Sequence, residues 1–243
     1  MIALLRAELL KLRKSGFRFF ILAVPIAVFP SATVRLSFAE EHGFNRWLEP
    51  AIMATLSYGL LFLPIATALL AGLVCRFEHQ AGGWKQLLGL PVTRGRVYAA
   101  KFGVLAMAAL AMQAMYLAAL FAAGKVSGIG DPFPWILIWK SALGGWVAAL
   151  PLLALQLWLA VMWRSFAAPF AVNVIFTLPT ILAVNSSRAG PYYPWAQPFN
   201  MMYPIVEPGD VFVVPWEQAL AVVGGSLVIF YLIGHLTFLR KAF

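Results

Sequence analysis

Long apolar blocks separated by shorter polar or charged segments repeat along this chain. Each block holds roughly 20 mostly apolar residues, the length that an α-helix needs to cross a bilayer. Prolines inside several blocks are compatible with helices, because neighbouring groups in membrane proteins re-satisfy the freed carbonyls. The pattern predicts an all-α polytopic membrane protein. Its six transmembrane helices are expected at about Phe17–Val34, Ala51–Cys75, Val97–Ala123, Trp135–Trp163, Phe166–Val184 and Glu217–Leu239.

The N-terminal segment, residues 1–16, has the spacing of a single amphipathic helix. Its apolar stripe consists of Ile2, Leu5, Leu9 and Leu12. Glu8 and Lys11 lie at the edges of that stripe. This arrangement predicts a helix lying in the membrane interface. Two interpretations stay open: a basic anchor that only sets topology, or a helix that also touches a cytoplasmic partner.

The connection between the second and third blocks, residues 76–97, is charged and yet has helical spacing. Arg76–Ala81 can extend the second span beyond the membrane. Gly82 and Gly83 break that helix. Trp84–Leu88 then forms a short amphipathic turn. An ordinary loop would explain the basic residues but not the break and the turn together.

The same connection has a stop and a cap. Pro91 ends the short turn, and Thr93 is placed to cap the helix of the third span. Glu78 is the only acid in this basic stretch. It could pair locally with Arg76 or Arg94, or with an arginine of a partner protein. We therefore predict a structured elbow that projects into the cytoplasm.

Composition and charge fit a membrane protein. The chain has 243 residues, of which 62% are hydrophobic and 11% charged, against about 25% charged in a soluble domain. With the N-terminus placed in the cytoplasm, the cytoplasmic segments hold thirteen basic residues and two acids, Glu8 and Glu78. The opposite side holds five basic residues and seven acids. This asymmetry predicts an inner-membrane protein with both termini in the cytoplasm. The net charge of +9 is then a topology signal and does not indicate nucleic acid.

Features of self-powered carriers and of enzymes are missing from the sequence. The predicted spans have no acidic or basic residue near their centres, where proton- or sodium-coupled carriers usually place one. No phosphate-binding loop, H-E-x-x-H or G-x-S-x-G motif is present. The single cysteine, Cys75, excludes an intrachain disulfide and a cysteine metal cluster. We expect neither an enzyme nor a cofactor bound by this chain.

The outer segment, residues 185–216, is rich in proline and aromatic residues. One interpretation is an aromatic belt that anchors the loop in the headgroup layer. The other is a lid or exit site for a lipid-seeking substrate. Polar residues within the spans can hydrogen-bond between helices or contact such a substrate. Candidate substrate or outer-gate residues are Trp195, Phe199, Asn173 and Gln156.

The elbow resembles a known family. The residues that carry the resemblance are Glu78, Gly82, Trp84, Lys85, Leu87, Leu88, Leu90, Pro91, Val92, Arg94 and Tyr98–Lys101. They resemble the cytoplasmic elbow of type-2 ABC exporter permeases, nearest the permeases of lantibiotic and bacitracin self-immunity transporters. The plan of an amphipathic N-terminal helix followed by six spans is similar as well. Family members often have Thr or Ser where Gly83 stands, which weakens the expected cap on the short helix.

This resemblance implies a coupling helix that docks on a separate ATPase subunit. The ATPase-coupling residues would be Glu78, Gly82, Trp84, Lys85, Leu87, Leu88, Pro91 and Arg94. ATP and Mg would be held by that subunit, and a second permease chain, identical or related, would pair with this one in the bilayer. The expected function is export of an amphipathic substrate such as a peptide antibiotic, in resistance or immunity. The alternative is a non-transporting membrane scaffold or sensor that docks a cytoplasmic regulator.

Every part of the chain is either a predicted span or a connection to one, so residues 1–243 are expected to form a single membrane domain. Its parts are the interfacial helix (1–16), spans one and two (17–75), the elbow (76–97), spans three to five (98–184), the outer segment (185–216) and the last span with its cytoplasmic tail (217–243).

Overall fold

The computed structural model describes residues 2–12, 16–34, 45–80, 82–204 and 216–242. Within these ranges every regular element is a helix, which confirms the all-α prediction. The α-helices are α1 (Ile2–Leu12), α2 (Phe17–Leu22), α3 (Val24–Ala32), α4 (Leu48–Ser57), α5 (Leu63–His79), α6 (Gly83–Leu88), α7 (Arg94–Val126), α8 (Trp135–Met162), α9 (Ala167–Thr177), α10 (Thr180–Val184), α11 (Gln197–Met202) and α12 (Trp216–Arg240). A π-helical turn, Tyr58–Phe62, joins α4 to α5, and two 3-10 turns, Gly190–Tyr192 and Pro194–Ala196, precede α11.

Five helical stretches of the described chain are long and apolar enough to cross a membrane. They are Leu48–His79, Arg94–Val126, Trp135–Met162, Ala167–Val184 and Glu217–Arg240. Several extend beyond the predicted blocks by a turn, because a helix continues into polar residues that an apolar count leaves out. The chain is therefore a multi-pass membrane protein.

The predicted first span corresponds to two short helices, α2 and α3, which meet at Ala23. The helix α1 makes an angle of 82° with this pair. An interfacial helix followed by a span would have such a bend, and the six-span count stays a prediction. Residues 35–44, Ala81 and residues 205–215, which belong to predicted connections, lie outside the described residues.

Close approaches at glycines set how the outer segment packs on the bundle. At Gly144 in α8, a Cβ atom would lie 2.6 Å from the carbonyl oxygen of Met201. At Gly59, in the π-turn, a Cβ atom would lie 3.3 Å from Cα of Phe199. The Ser141 hydroxyl also donates a hydrogen bond to the carbonyl of Met202. Small residues of this kind allow helices to approach closely in membranes, and here they seat α11 against α8 and the π-turn.

Residues 190–204 fold back into the bundle after the fifth span. Gly190 lies against α10, where an added Cβ would be 2.8 Å from the carbonyl of Ala183. The chain then runs back along the fifth span, so that the Trp195 ring stacks on Phe176 of α9 at 4.9 Å. The helix α11 returns toward Gly144 near the start of α8. Because they fold back in this way, we call residues 190–204 the re-entrant segment.

Candidate functional site

The elbow is shaped by two adjacent glycines after α5. Gly82 has φ +71°, a left-handed conformation that suits glycine. Gly83 is the first residue of α6, and a Cβ there would lie 2.7 Å from the carbonyl oxygen of Phe77 and 2.9 Å from Cα of Glu78. The absent side chain therefore allows the start of α6 to lie directly against the end of α5. The helix α6 ends at Leu88, before the turn at Gly89.

Four charged side chains meet at the junction of α1, α5 and α7; we call Glu8, Lys11, Glu78 and Lys101 the ionic cluster. Lys101 is fully buried, with Nζ 2.9 Å from Oε2 of Glu8 and 3.0 Å from Oε2 of Glu78. Lys11 Nζ lies 2.9 Å from Oε1 of Glu8 and 2.8 Å from Oε1 of Glu78. Lys101 also donates to the Val74 carbonyl at 3.0 Å. Two acids and two lysines thus balance, as burial of charge requires.

Trp84 connects α6 to three spans. Its ring is buried, and Lys101 Nζ lies 5.5 Å from its centroid. The ring centroid of Phe238 in α12 is 5.4 Å away. The indole N–H donates to Nδ1 of His79 at 3.3 Å, and Nε2 of His79 lies 2.6 Å from the Ala160 carbonyl of α8. A His79 tautomer with its proton on Nε2 satisfies both contacts.

Basic side chains cap the helices that end beside the elbow. Arg94 Nη1 donates to the carbonyls of Leu239 and Lys241 at 3.0 and 2.8 Å. Lys241 Nζ donates to the carbonyls of Val161 and Met162, the last residues of α8. Burial, followed by the charge of Arg164, lowers the pKa of Lys241. Cations at helix C-termini are favourable because the last carbonyls lack intrahelical partners.

A second polar cluster lies within the spans and carries no charge; we call Gln156, Asn173 and Trp195 the amide cluster. Asn173 Oδ1 accepts from Gln156 Nε2 at 3.0 Å and from the Trp195 indole N–H at 2.9 Å. Asn173 Nδ2 donates to the Pro64 carbonyl at 2.8 Å. Gln156 and Asn173 are fully buried. The amide cluster therefore fastens the re-entrant segment to α5, α8 and α9.

A protein-family model described as "ABC-2 family transporter protein" matches residues 4–180. The match covers more than half of the chain and contains most of α1, the elbow and the ionic cluster. The chain belongs to the ABC-2 transporter family. It is accordingly a membrane subunit of the kind that works with an ABC ATPase and has no ATPase site of its own. No curated protein and no solved structure matches the chain.

The elbow has one buried and one exposed side. Glu78 and Trp84 are buried, while Leu87 and Leu88 are half-buried and pack against the main core. Gly82 supports the turn between them. The remaining residues that the resemblance marks on α6 and just after it point outward: Lys85 and Pro91 are exposed.

Two sequence-based expectations about the elbow need correction. Glu78 pairs with Lys11 and Lys101 and not with a neighbouring arginine, because it faces the helix junction and is only 3% exposed. Thr93 does occupy the N-cap position of α7, with extended backbone, but its side chain makes no capping hydrogen bond.

Sequence reasoning missed the roles of Glu8, Lys11 and Lys101. The helical spacing placed Glu8 at the edge of an apolar stripe, and the charge count placed Lys101 among the topology signals. In the structure Glu8 is buried, while Ile2 and Leu9 of the predicted stripe are exposed. The available signal was that Glu8 and Glu78 had no other acid near them in sequence. Acids isolated among basic residues are candidates for buried ion pairs.

The outer segment also differs from the aromatic-belt interpretation. Trp195 and Phe199 are buried at 7% and 0% exposure, because the segment folds inward. Tyr192 is 64% exposed and remains available to the headgroup layer. Phe199 lies apart from the amide cluster, packed with Leu60 and neighbouring apolar residues. Three of the four candidate outer-gate residues therefore come together and the fourth does not.

The two clusters join helices to one another, and their side chains show no arrangement for metal binding. In the described ranges no three His, Cys, Asp or Glu side chains are grouped so as to hold a metal ion. In the ionic cluster both carboxylates are paired with lysines, and the amide cluster contains no titratable group. Both join helices that are distant in sequence. Such contacts can transmit displacement between an elbow and the spans.

Proposed function

We propose that this chain is the permease subunit of an ABC exporter that moves an amphipathic substrate, such as a peptide antibiotic, out of the membrane. ATP hydrolysed by a separate subunit would supply the energy, with Mg and nucleotide bound there. Two permease chains, identical or related, would pair in the inner membrane with both termini in the cytoplasm. Family membership supports the permease role, and the resemblance of the elbow to immunity permeases supports the substrate class and direction.

Coupling to ATP hydrolysis is supported by the elbow, which has a buried side and an exposed side. Its buried side joins α6 to α1, α5, α7 and α12 through Trp84 and the ionic cluster. Its exposed side presents Lys85 and Leu90, the latter 54% exposed. An ATPase that grips the exposed side would move three spans together, because buried contacts are stiff compared with solvated loops.

Copurification with the ATPase encoded beside this chain tests the proposal. Tagged permease carrying Lys85→Glu and Leu90→Asp is expected to lose most of the bound ATPase, since both changes lie on the exposed side of the elbow. The matched control is Lys125→Glu, an exposed lysine at the other end of α7. That variant should retain the ATPase.

Equal recovery of the ATPase with the elbow variant and the control would reject docking at the elbow. A complex that forms but neither stimulates ATP hydrolysis nor confers resistance to any amphipathic peptide would instead favour the scaffold or sensor. Trp195→Ala with Phe199→Ala examines the outer gate separately. Unchanged resistance at normal expression would remove the gate from the proposal.

A further inference from the structure

A cavity of about 400 Å³ lies where α5 and α8 end and α9 begins. Its volume is within the range of about 300–1,000 Å³ that is common for small-molecule sites. Arg76 from α5 and Arg164 from the short α8–α9 connection line it. Leu73, Trp163 and Phe166 line it as well. The cavity therefore has guanidinium groups and an apolar wall in one space.

No acid of the described residues pairs with Arg76 or Arg164. Neither Arg76 nor Arg164 makes a hydrogen bond or ion pair with any residue in the described part of the chain. Both side chains are exposed. A neighbouring cavity of about 330 Å³ shares Arg164 and is also lined by Lys85 and Lys241. The acid that lines this second cavity is Glu78, whose two carboxylate oxygens already face Lys11 and Lys101. No acid among the described residues therefore remains to neutralise Arg76 and Arg164.

The apolar wall indicates what kind of anion would fit. Trp163 and Phe166 are 40% and 43% exposed, at the level where two helices end and a third starts. Trp and other amphipathic rings favour the headgroup layer of a membrane. Guanidinium groups bind phosphate in a two-pronged geometry, and basic pockets between transmembrane helices bind lipid head groups. An acidic patch of a cytoplasmic protein would match the charge but would leave the apolar wall uncovered.

We propose that the cavity lined by Arg76, Arg164, Trp163 and Phe166 binds the phosphate of an anionic phospholipid, with the first part of an acyl chain against Leu73 and the two rings. Both arginines contact the phosphate, and Lys241 adds to the field from the neighbouring cavity. The site needs no nucleotide and no ATPase, so it is independent of the function proposed above. A bound lipid would fill the space between α5, α8 and α9 directly behind the elbow.

Native mass spectrometry of the purified full chain tests the site. The detergent-solubilised protein is titrated with phosphatidylglycerol, with phosphatidylcholine and with glycerol 3-phosphate. One phosphatidylglycerol is expected to bind with an affinity at least about tenfold above that of phosphatidylcholine. Arg76→Gln with Arg164→Gln should weaken this binding by about tenfold or more, since each charge-assisted contact is lost. Both side chains are exposed, so the variant is expected to fold.

The matched control is Arg96→Gln, an exposed arginine of α7 that lines neither cavity. It should leave phosphatidylglycerol binding within about twofold of the unaltered chain, because it lowers net charge without touching the site. A similar loss in the control and in the double variant would reduce the effect to general charge and overturn the proposal.

Two further outcomes would also overturn it. Glycerol 3-phosphate that competes as well as phosphatidylglycerol would show that the acyl chain contributes nothing. A double variant that binds lipid normally but no longer copurifies with the ATPase would assign the two arginines to the protein partner. A thermal-stability measurement provides the second readout: phosphatidylglycerol should raise the unfolding temperature of the unaltered chain and of Arg96→Gln more than that of the double variant.

Discussion

The ionic cluster at the elbow and the amide cluster within the spans do the same task with different chemistry. Each joins three or more helices that are far apart in sequence, and each includes fully buried polar groups. The ionic cluster consists of ionised side chains, and Lys11 lies at its rim with 34% side-chain exposure. The amide cluster uses neutral donors and acceptors around Asn173.

The difference follows from position. Lys101 lies two turns into α7, beneath α1, where Lys11 still reaches solvent or headgroups. Charges are tolerated there because snorkelling and pairing lower the desolvation cost. Asn173 donates to the Pro64 carbonyl, ten residues before Val74 along α5 and therefore farther from the elbow, and it meets Gln156 and the re-entrant Trp195. Neutral amides suit that depth, because a hydrogen bond between neutral groups avoids the cost of burying an ion.

The consequences for the two ends of the molecule also differ. A buried ion pair leaves a strongly unfavourable charge behind when one partner is removed, typically about 3–5 kcal/mol. Hydrogen bonds between membrane helices average only about 0.6 kcal/mol each. We therefore expect the elbow to be held rigidly and the re-entrant segment to be released more easily. A rigid elbow can pass a displacement to the spans, and a weakly held re-entrant segment can move in response.

The largest expected effect is that of Lys101→Met. This substitution keeps most of the side-chain volume but leaves Glu8 and Glu78 with Lys11 as their remaining cation in the cluster, so we expect the free energy of unfolding to fall by about 3–5 kcal/mol. Denaturant titration in mixed micelles measures it. Lys85→Met, an exposed lysine of the same elbow, should change stability by no more than about 0.5 kcal/mol.

A double-mutant cycle separates pairing from simple loss of charge. In a Glu78→Gln background one of the stranded acids is neutral, so the cost of Lys101→Met should shrink by at least about 1 kcal/mol. Equal costs in both backgrounds would mean that Glu78 and Lys101 do not interact, and the rigid-elbow half of the comparison would fail.

Asn173→Leu should have a smaller effect. It removes three hydrogen bonds at once, to Gln156, Trp195 and the Pro64 carbonyl, and we expect a loss of about 2 kcal/mol. The matched control is Asn185→Leu, whose amide makes one exposed bond to the Ile181 carbonyl. It should cost less than about 0.5 kcal/mol.

Release of the re-entrant segment provides a second measurement for Asn173→Leu. A cysteine introduced by Tyr193→Cys should react with a maleimide faster in the Asn173→Leu background than in the unaltered one, because the neighbouring Trp195 has lost its anchor. Cys75 is buried and should contribute little background. An unchanged labelling rate together with lowered stability would place the effect in the span packing and not in the outer segment.

The sequence predicts much of the fold and less of these clusters. Apolar length alone locates five spans, and the glycine–proline punctuation of 76–97 indicates a short helix after α5. The partners of Glu78 could not be predicted, because the helical period of α1 depends on which face tertiary packing selects. The chosen face puts Glu8 inward and leaves Leu9 outward, against the pattern of hydrophobicity.

The outer segment shows a second reason why sequence falls short. Aromatic residues at a membrane interface and aromatic residues in a re-entrant core have the same composition. What distinguishes Trp195 from Tyr192 is the hydrogen bond to Asn173 and the room left by Gly144 and Gly59. These are contacts between segments 22 to 140 positions apart, which no local period reports.

The smallest change in the free energy of unfolding is expected for substitutions of Arg94. They test whether a charge outside the ionic cluster also makes the elbow rigid. Arg94 lies at the charged end but donates to the carbonyls of Leu239 and Lys241, and it pairs with no acid among the described residues. Arg94→Gln should lower the free energy of unfolding by only about 0.5–1 kcal/mol, since the freed carbonyls can bind water. Arg94→Lys keeps the favourable charge at the end of α12 and should recover about half of that loss.

Measuring ATPase copurification on the same two variants distinguishes capping from docking. If Arg94 acts through the end of α12, retention of the ATPase should follow stability, with Arg94→Lys between Arg94→Gln and the unaltered chain. If both variants lose the ATPase while stability is unchanged, Arg94 contacts the partner directly and its carbonyl contacts are incidental. Unchanged stability would also mean that Arg94 does not contribute to the rigidity of the elbow. The rigidity would then come from the ion pairs of the ionic cluster and not from positive charge as such.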